Sequence, residues 1–359
     1  MRPTQTPSAM SPTHASPNAL MQRARRLAPG SFALVMATGI VSIDASQHGL
    51  PWLARALFAL NLLAFVCLIA LSVLRLVWFR DEFMTDLRSP VRSAGFLTFV
   101  AGACVLGSQS LLLQDWIVLA WLLFACALPA WLLLGGFWLV ALARAMRDGS
   151  LTRHIQGGWL IAVVATQGLS VLLVLLALRE TALVGLWLPA FALFVLGIAL
   201  YLPIIALILW RLSCLPLRPR ELTPPYWITM GALAISTLAG SLLLRHLPPL
   251  PPRVALLLPH IIQAVWLAAS VWLLAMIVLW TWRCSRTPIR YSVEDWDIVF
   301  PLGMYTVGTY EFAQALPWPA LLEIPRIGVY VSLIAWTLVA VGALRRGLRI
   351  ARIARRRVH

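Results

Sequence analysis

Residues 156–178 read QGGWLIAVVATQGLSVLLVLLAL, and residues 184–213 read VGLWLPAFALFVLGIALYLPIIALILWRLS. Each run is long enough to cross the hydrocarbon core of a bilayer, which takes about 20 apolar residues as an α-helix. The short segment between them predicts a hairpin of two helices that cross the membrane in opposite directions.

The same pattern recurs along the whole chain. Of its 359 residues, 61% are hydrophobic and 12% are charged, and the mean hydropathy is +0.85. Soluble domains are about half apolar and about a quarter charged, so the composition predicts an all-α polytopic membrane protein. We place ten transmembrane helices, paired as five hairpins, at 30–47, 53–79, 90–113, 116–143, 156–178, 184–213, 224–246, 254–282, 293–316 and 324–348.

This pattern divides the chain into three regions. Residues 1–27 are rich in Pro, Ser, Thr and Ala, and we expect them to form a disordered cytoplasmic tail. Residues 28–348 form the ten-helix transmembrane domain, and residues 349–359 form a basic cytoplasmic tail. The segment Ser292–Asp295 has the form of a capping box and marks the start of the ninth helix.

The arginines test this topology independently. All 29 basic residues are Arg, and with a cytoplasmic N-terminus 24 of them fall in the inner segments. The outer loops hold the other five: Arg55, Arg179, Arg245, Arg253 and Arg326. This bias predicts ten spans in the plasma (inner) membrane with both termini in the cytoplasm. No soluble stretch is long enough to form a basic nucleic-acid-binding face.

A repeat of small polar residues distinguishes the odd-numbered helices. Each carries a Thr followed within four residues by a Gly, and the even-numbered helices are mostly plain Leu, Val, Ala and Trp at that depth. Two compatible interpretations stand: close packing of helices, or a narrow, uncharged wall around a central path. The candidate pore-lining residues are Thr38, Gly39, Ser42, Thr98, Gly102, Thr166, Gly168, Ser170, Thr237, Gly240, Ser241, Thr306, Gly308 and Thr309.

Charged side chains avoid the middle of every odd-numbered helix, which disfavours an obligatory buried carboxylate relay and suits a passive conduit. Glu311, near the outer end of the ninth helix, is expected at the rim or paired with an Arg. No HExxH motif, nucleophile elbow, paired intramembrane carboxylates or phosphate-binding loop occurs. The sequence therefore predicts a protein that is not an enzyme, with no catalytic residues, cofactor or metal site.

The segment Phe300-Pro301-Leu302-Gly303 combines an aromatic residue, a proline and a glycine within the ninth predicted helix. Pro301 removes a backbone donor and crowds the preceding turn, so a helix kink is predicted there. A Phe ring at such a kink is either aimed into a lumen as a hydrophobic plug or is an ordinary packing residue. The local sequence leaves both open.

Three segments resemble the tellurite-resistance/C4-dicarboxylate transporter family, which includes the slow-type guard-cell anion channels and the malic acid transporters. They are Pro29–Phe32, Val35–Ser42 and Phe300–Thr306. The resemblance extends across about 28–348. It implies five hairpins in pseudo-fivefold arrangement, odd helices around a central pore, a Phe on the ninth helix that occludes it, and a homotrimer. Phe300 is the matching position.

We therefore expect an anion channel or uniporter for small inorganic or organic anions, gated by Phe300. The alternative is a proton-coupled or exchange transporter, or an exporter, of C4-dicarboxylates, sulfite or tellurite-like oxyanions. The anion itself does not follow from the resemblance, because its members differ in substrate.

Overall fold

The computed structural model describes residues 19–180, 184–214, 218–246, 252–288 and 291–356. These residues contain α-helices, short 3₁₀ turns and connecting loops, and no strand. The α-helices are α1 Ala19–Arg25, α2 Ala33–Gln47, α3 Pro51–Trp78, α4 Arg80–Arg88, α5 Leu97–Gln114, α6 Ile117–Arg147, α7 Leu151–His154, α8 Ile161–Arg179, α9 Trp187–Cys214, α10 Ile228–His246, α11 Pro252–Arg286, α12 Trp296–Ala315 and α13 Glu323–Arg356.

Five of these helices close into an inner ring. In order around the ring α2 packs on α5, α5 on α8, α8 on α10, α10 on α12, and α12 again on α2. Each is followed in the chain by an outer helix, which packs on its own inner partner and on the next inner helix around the ring. The outer helices are α3, α6, α9, α11 and α13, so the predicted all-α architecture of five hairpins in a fivefold arrangement is confirmed.

Burial separates the two rings. In the most apolar stretch of the inner spans α2, α5, α8 and α10, 78% to 100% of the residues are buried, against 11% to 33% in the outer spans. The outer helices expose large apolar side chains, such as Val118, Leu188 and Leu338, each more than two-thirds exposed. A surface this apolar is typical of a protein whose solvent is lipid.

Every inner helix begins with a 3₁₀ turn: Pro29–Phe32, Ser93–Phe96, Gly157–Leu160, Pro224–Trp227 and Val293–Asp295. Proline is suited to the first position of such a turn, because its missing N–H has no helical partner there. The turn before α12 is closed by the predicted capping box. Its side-chain and backbone bonds join Ser292 and Asp295 in both directions.

The predicted helices agree with the observed ones within several residues, and the ends of the chain differ most. Ala19–Arg25 is helical although it lies in the segment expected to be disordered, and α13 continues to Arg356 through most of the expected C-terminal tail. The remaining parts of these tails, residues 1–18 and 357–359, lie outside the described residues. Nine described helices are long and apolar enough to span a membrane; α12 falls below this hydropathy but completes the inner ring.

Glycines allow the inner helices to approach one another closely. A Cβ at Gly308 of α12 would lie 2.7 Å from the backbone oxygen of Ala234 on α10. A Cβ at Gly231 of α10 would lie 2.8 Å from the Pro301 ring on α12. Because backbone atoms cannot move aside as a flexible side chain can, the α10–α12 contact depends on the missing side chain at Gly308.

We expect Gly308→Ala to lower the free energy of unfolding by about 1–3 kcal/mol, because the added methyl group overpacks the α10–α12 contact. Denaturant titration in mixed micelles measures this loss. The control is Gly136→Ala on the outer helix α6, where a Cβ would meet nothing within 4 Å. That change should be neutral or stabilising, since Ala favours a helix over Gly by about 1 kcal/mol. Equal effects of the two substitutions would contradict the packing role of Gly308.

Candidate functional site

The surroundings of α12 define which of its sides faces the centre of the inner ring. Pro301 lies against Gly231 of α10, and Gly303 lies against Ile40 of α2. The helices α10 and α2 are therefore the neighbours of α12 within the inner ring. Towards the outer ring, Thr309 accepts a hydrogen bond from Trp266 of α11, and α13 packs along the same helix.

Phe300 lies on the remaining side of α12. Thr309 follows it by nine residues, which is about two and a half turns, so the two side chains leave opposite sides of the helix. Because Thr309 points to the outer ring, Phe300 is directed towards the centre of the inner ring. The side chain is 1% exposed and ranks among the largest fully buried ones of the described residues. Phe300 is therefore enclosed by protein on this side of α12.

Indole–hydroxyl hydrogen bonds join the two rings at three inner helices. Trp336 of α13 donates to Thr38 at 3.0 Å, Trp131 of α6 donates to Thr166 at 2.9 Å, and Trp266 of α11 donates to Thr309 at 3.0 Å. Each hydroxyl therefore lies between an inner and an outer helix. The sequence pattern did not reveal that tryptophans on the outer helices are the partners of these hydroxyls.

Other residues of the polar repeat also contact neighbouring helices. Ser42 donates to the carbonyl of Ala54 on α3, and Ser170 donates to that of Ala190 on α9, both at 2.7 Å. The remaining glycines of the repeat are packing positions at which a Cβ would come within 3.4 Å of a neighbouring segment: Gly39 against α5 and α3, Gly102 against α2, Gly168 against α5, and Gly240 against α11 and α9.

Four hydroxyls of the repeat have different surroundings. Thr237 donates to its own helix at Leu233, and Thr306 does so at Leu302 while packing against Gly328 of α13. Ser241 is fully buried with no partner among the described residues. Thr98 bonds to the carbonyl of Gly95 and lines a cavity at the start of the inner helices. Helix packing thus accounts for most of the repeat, and the pore-lining role stays a prediction.

Several buried polar residues escaped the sequence analysis. Asp44, near the end of α2, is fully buried; it accepts a hydrogen bond from Ser332 of α13 at 2.8 Å and lies 3.1 Å from the His48 ring. Asn61 of α3 donates to Gln109 of α5 at 2.9 Å. For Asn61, the available signal was an isolated polar residue within an apolar run of α3. Its partner, 48 residues away for Asn61, could not be read from spacing.

The C-terminal ends of the inner helices carry ion pairs. Glu311 of α12 pairs with Arg245 of α10 and accepts a hydrogen bond from Gln47 of α2 at 3.2 Å. Arg179 of α8 pairs with Asp115, directly after α5, at 3.0 Å. The predicted pairing of Glu311 with an Arg is therefore confirmed. These bonds tie neighbouring inner helices together at this end of the ring.

Among the described residues, no group of three or more His, Cys, Asp or Glu is arranged to hold a metal ion. All five cysteines are free. The arrangement offers a buried Phe300, two rings of helices joined by hydrogen bonds, and paired charges at one end.

Comparisons with known proteins point to transport. Residues 26–344 match the family described as SLAC1, voltage-dependent anion channel. An uncharacterized membrane protein of Mycobacterium tuberculosis is 37% identical over 40% of this chain and 75% of its own length. An uncharacterized transporter of Methanocaldococcus jannaschii is 27% identical over 80% and 83% of the two chains. A sulfite efflux pump of Trichophyton rubrum is 24% identical over 87% and 88%.

We expect a double-mutant cycle of Thr166→Val and Trp131→Phe to give a coupling energy of about 0.5–1.5 kcal/mol, because each change removes one partner of the same interhelical bond. Unfolding in mixed micelles measures all four proteins. The control pairs Trp131→Phe with Thr237→Val, whose hydroxyl bonds to its own helix, and should be additive. An additive Thr166–Trp131 pair would contradict the packing role of Thr166.

Proposed function

Because the chain belongs to the voltage-dependent anion channel family, which it matches over residues 26–344, we propose that it carries small anions through the centre of its inner ring. Phe300 closes this path in the state described. Transport itself rests on the family and on the named relatives, which are transporters and efflux pumps. We propose in addition the central path and its closure by Phe300.

One feature supports the gate: Thr309 of α12 bonds to Trp266 of the outer helix α11, and helix geometry directs the buried Phe300 side chain from the opposite side of α12. A buried aromatic ring on the axis blocks an ion without any charged group. Moving it to another rotamer costs little compared with separating two helices that are packed at glycines.

The surroundings of the path favour anions that shed water easily. The inner helices are apolar over most of their length, and many of their hydroxyls bond to the outer ring. An ion at this depth therefore receives few hydrogen bonds in return for its hydration shell. Such a path conducts by weak binding, which lets the ion leave again.

The identity of the anion and the mode of transport belong to this proposal as well. Sulfite is a candidate because relatives from Trichophyton rubrum and two Arthroderma species are named sulfite efflux pumps. C4-dicarboxylates and tellurite-like oxyanions are the other candidates. We favour an uncoupled channel or uniporter over a proton-coupled or exchange mechanism, because α12 carries Phe300 rather than a titrating side chain at the point of closure.

We expect Phe300→Ala to raise anion flux several-fold in proteoliposomes, because the smaller side chain leaves the path open. The matched control is Phe312→Ala on the same helix. Phe312 is equally buried, but its ring stacks on Trp266 of α11 with centroids 5.3 Å apart. That variant should lose about 3–5 kcal/mol of stability through the cavity it leaves, with no gain in flux.

The two variants separate gating from packing. If the wild type and Phe300→Ala show equal flux and Phe300→Ala loses as much stability as Phe312→Ala, Phe300 is a packing residue and not a gate. Flux absent from the wild type and both variants, across chloride, nitrate and sulfite, would overturn the transport proposal itself. Proton movement at a fixed ratio to anion movement would replace the channel with the coupled transporter.

The assembly and the orientation are proposed on the resemblance and on the arginine distribution. We expect three copies per particle, each with its own path, and both termini in the cytoplasm. Light scattering of the detergent-solubilised protein measures the mass of the particle, and a monomer or dimer would contradict the trimer. Cysteine labelling from either side of a vesicle at Ser11→Cys tests the position of the N-terminus.

A further inference from the structure

The starts of all five inner helices meet at one cavity of about 150 Å³, which we name the N-terminal mouth. Each inner helix, or the turn before it, contributes to its lining, including Gly30, Thr98, Gln156, Ile228 and Asp297. This end of the ring is opposite the Glu311–Arg245 pair, and the arginine distribution assigns it to the cytoplasm. An anion that enters the proposed path from this side passes through the mouth.

Five converging helix starts give the mouth a positive potential. The first N–H groups of a helix carry a partial positive charge, so each helix start attracts an anion. Arg92 adds a guanidinium to the lining, although it also pairs with Asp86 at 3.0 Å. A halide or nitrate ion, which only accepts hydrogen bonds, would find suitable donors here.

Carboxylates in the same lining oppose such an ion. Asp297 lies in the first turn of α12 and is only 9% exposed, and among the described residues it has neither a hydrogen-bond nor an ion-pair partner. Glu294 lies one turn before it and also lines the mouth. A buried carboxyl group without a partner is costly to maintain, and it leaves an acceptor oxygen free for a ligand in the mouth.

Together the lining residues offer both hydrogen-bond donors and hydrogen-bond acceptors to a ligand in the mouth. A ligand that fits both has negative charge for the helix starts and an O–H group for the carboxylate. A site built to receive a donated hydrogen bond rejects an analogue that lacks it, because the acceptor is then left unpaired.

Resting on the proposed transport function, we infer that the N-terminal mouth selects monoanions of oxyacids that still carry a proton, with Asp297 accepting the hydrogen bond from their O–H. Hydrogensulfite, hydrogencarbonate and the monoanions of dicarboxylic acids belong to this class. Chloride and nitrate do not. Glu294 supplies a second acceptor at the rim.

Hydrogencarbonate and nitrate are the matched probes, since both are planar monoanions and only the first has an O–H. We expect the purified wild type to bind hydrogencarbonate about tenfold more tightly than nitrate, as one hydrogen bond to a charged group predicts. Ligand-dependent melting at constant ionic strength measures both affinities. In Asp297→Asn the ratio should fall towards one, with nitrate affinity unchanged, because the amide presents N–H donors in place of one carboxyl oxygen.

Two further variants keep the test decisive. Glu294→Gln should lower the ratio partially, and because Glu294 is exposed it serves if Asp297→Asn fails to fold. Glu82→Gln removes a carboxylate from an exposed pair with Arg25 outside the mouth and should leave the ratio unchanged.

Equal binding of the two probes by the wild type, or a preference that survives in Asp297→Asn and Glu294→Gln, would overturn the selection site. Binding is measured at equilibrium without a membrane, so this result is independent of flux. Selective binding with no anion flux in vesicles would instead overturn the proposed transport while leaving the site intact.

Discussion

A polar group inside a bilayer must find its partner within the protein, and the arrangement of the two helix rings follows from this constraint. The outer helices face lipid with Leu, Val and Trp, and they direct indole N–H groups inwards at Thr38, Thr166 and Thr309. Serine hydroxyls bond in the other direction, to outer-helix carbonyls. These bonds satisfy polar groups of both rings inside the hydrocarbon and define the register between the rings.

The same constraint bears on the side of each inner helix that faces away from the outer ring. Hydroxyls that bond to the outer helices are turned away from the centre of the inner ring, and Phe300, on the side of α12 opposite Thr309, is buried. In the proposed gating, movement of the Phe300 ring alone would leave the close contacts at Gly231 and Gly308 undisturbed, and those contacts hold α10 and α12 together.

The two ends of the inner ring differ in their charge pairing. At the C-terminal end Glu311 is neutralised by Arg245 and Asp115 by Arg179. At the N-terminal end Asp297 is buried and has no such partner within the part of the chain that the structure describes. Discrimination between anions is more effective at a mouth with an unpaired acceptor than along an apolar path, because an unmade hydrogen bond to a buried group costs more than a difference in contact area.

The sequence by itself determined the membrane class, the ten helices, their pairing into hairpins and the position of the capping box at Ser292. These depend on local hydropathy and local hydrogen bonds, which a linear pattern records. The Phe300-Pro301 segment and the glycine repeat could also be recognised in the sequence. The direction in which each of these residues points could not. Only the tertiary structure decided that Thr38 faces Trp336, almost 300 residues away, and that Asp297 shares a cavity with residues from four other helix starts. Such contacts join segments far apart in the chain, and they are determined by the closure of the ring rather than by any repeat within a single helix.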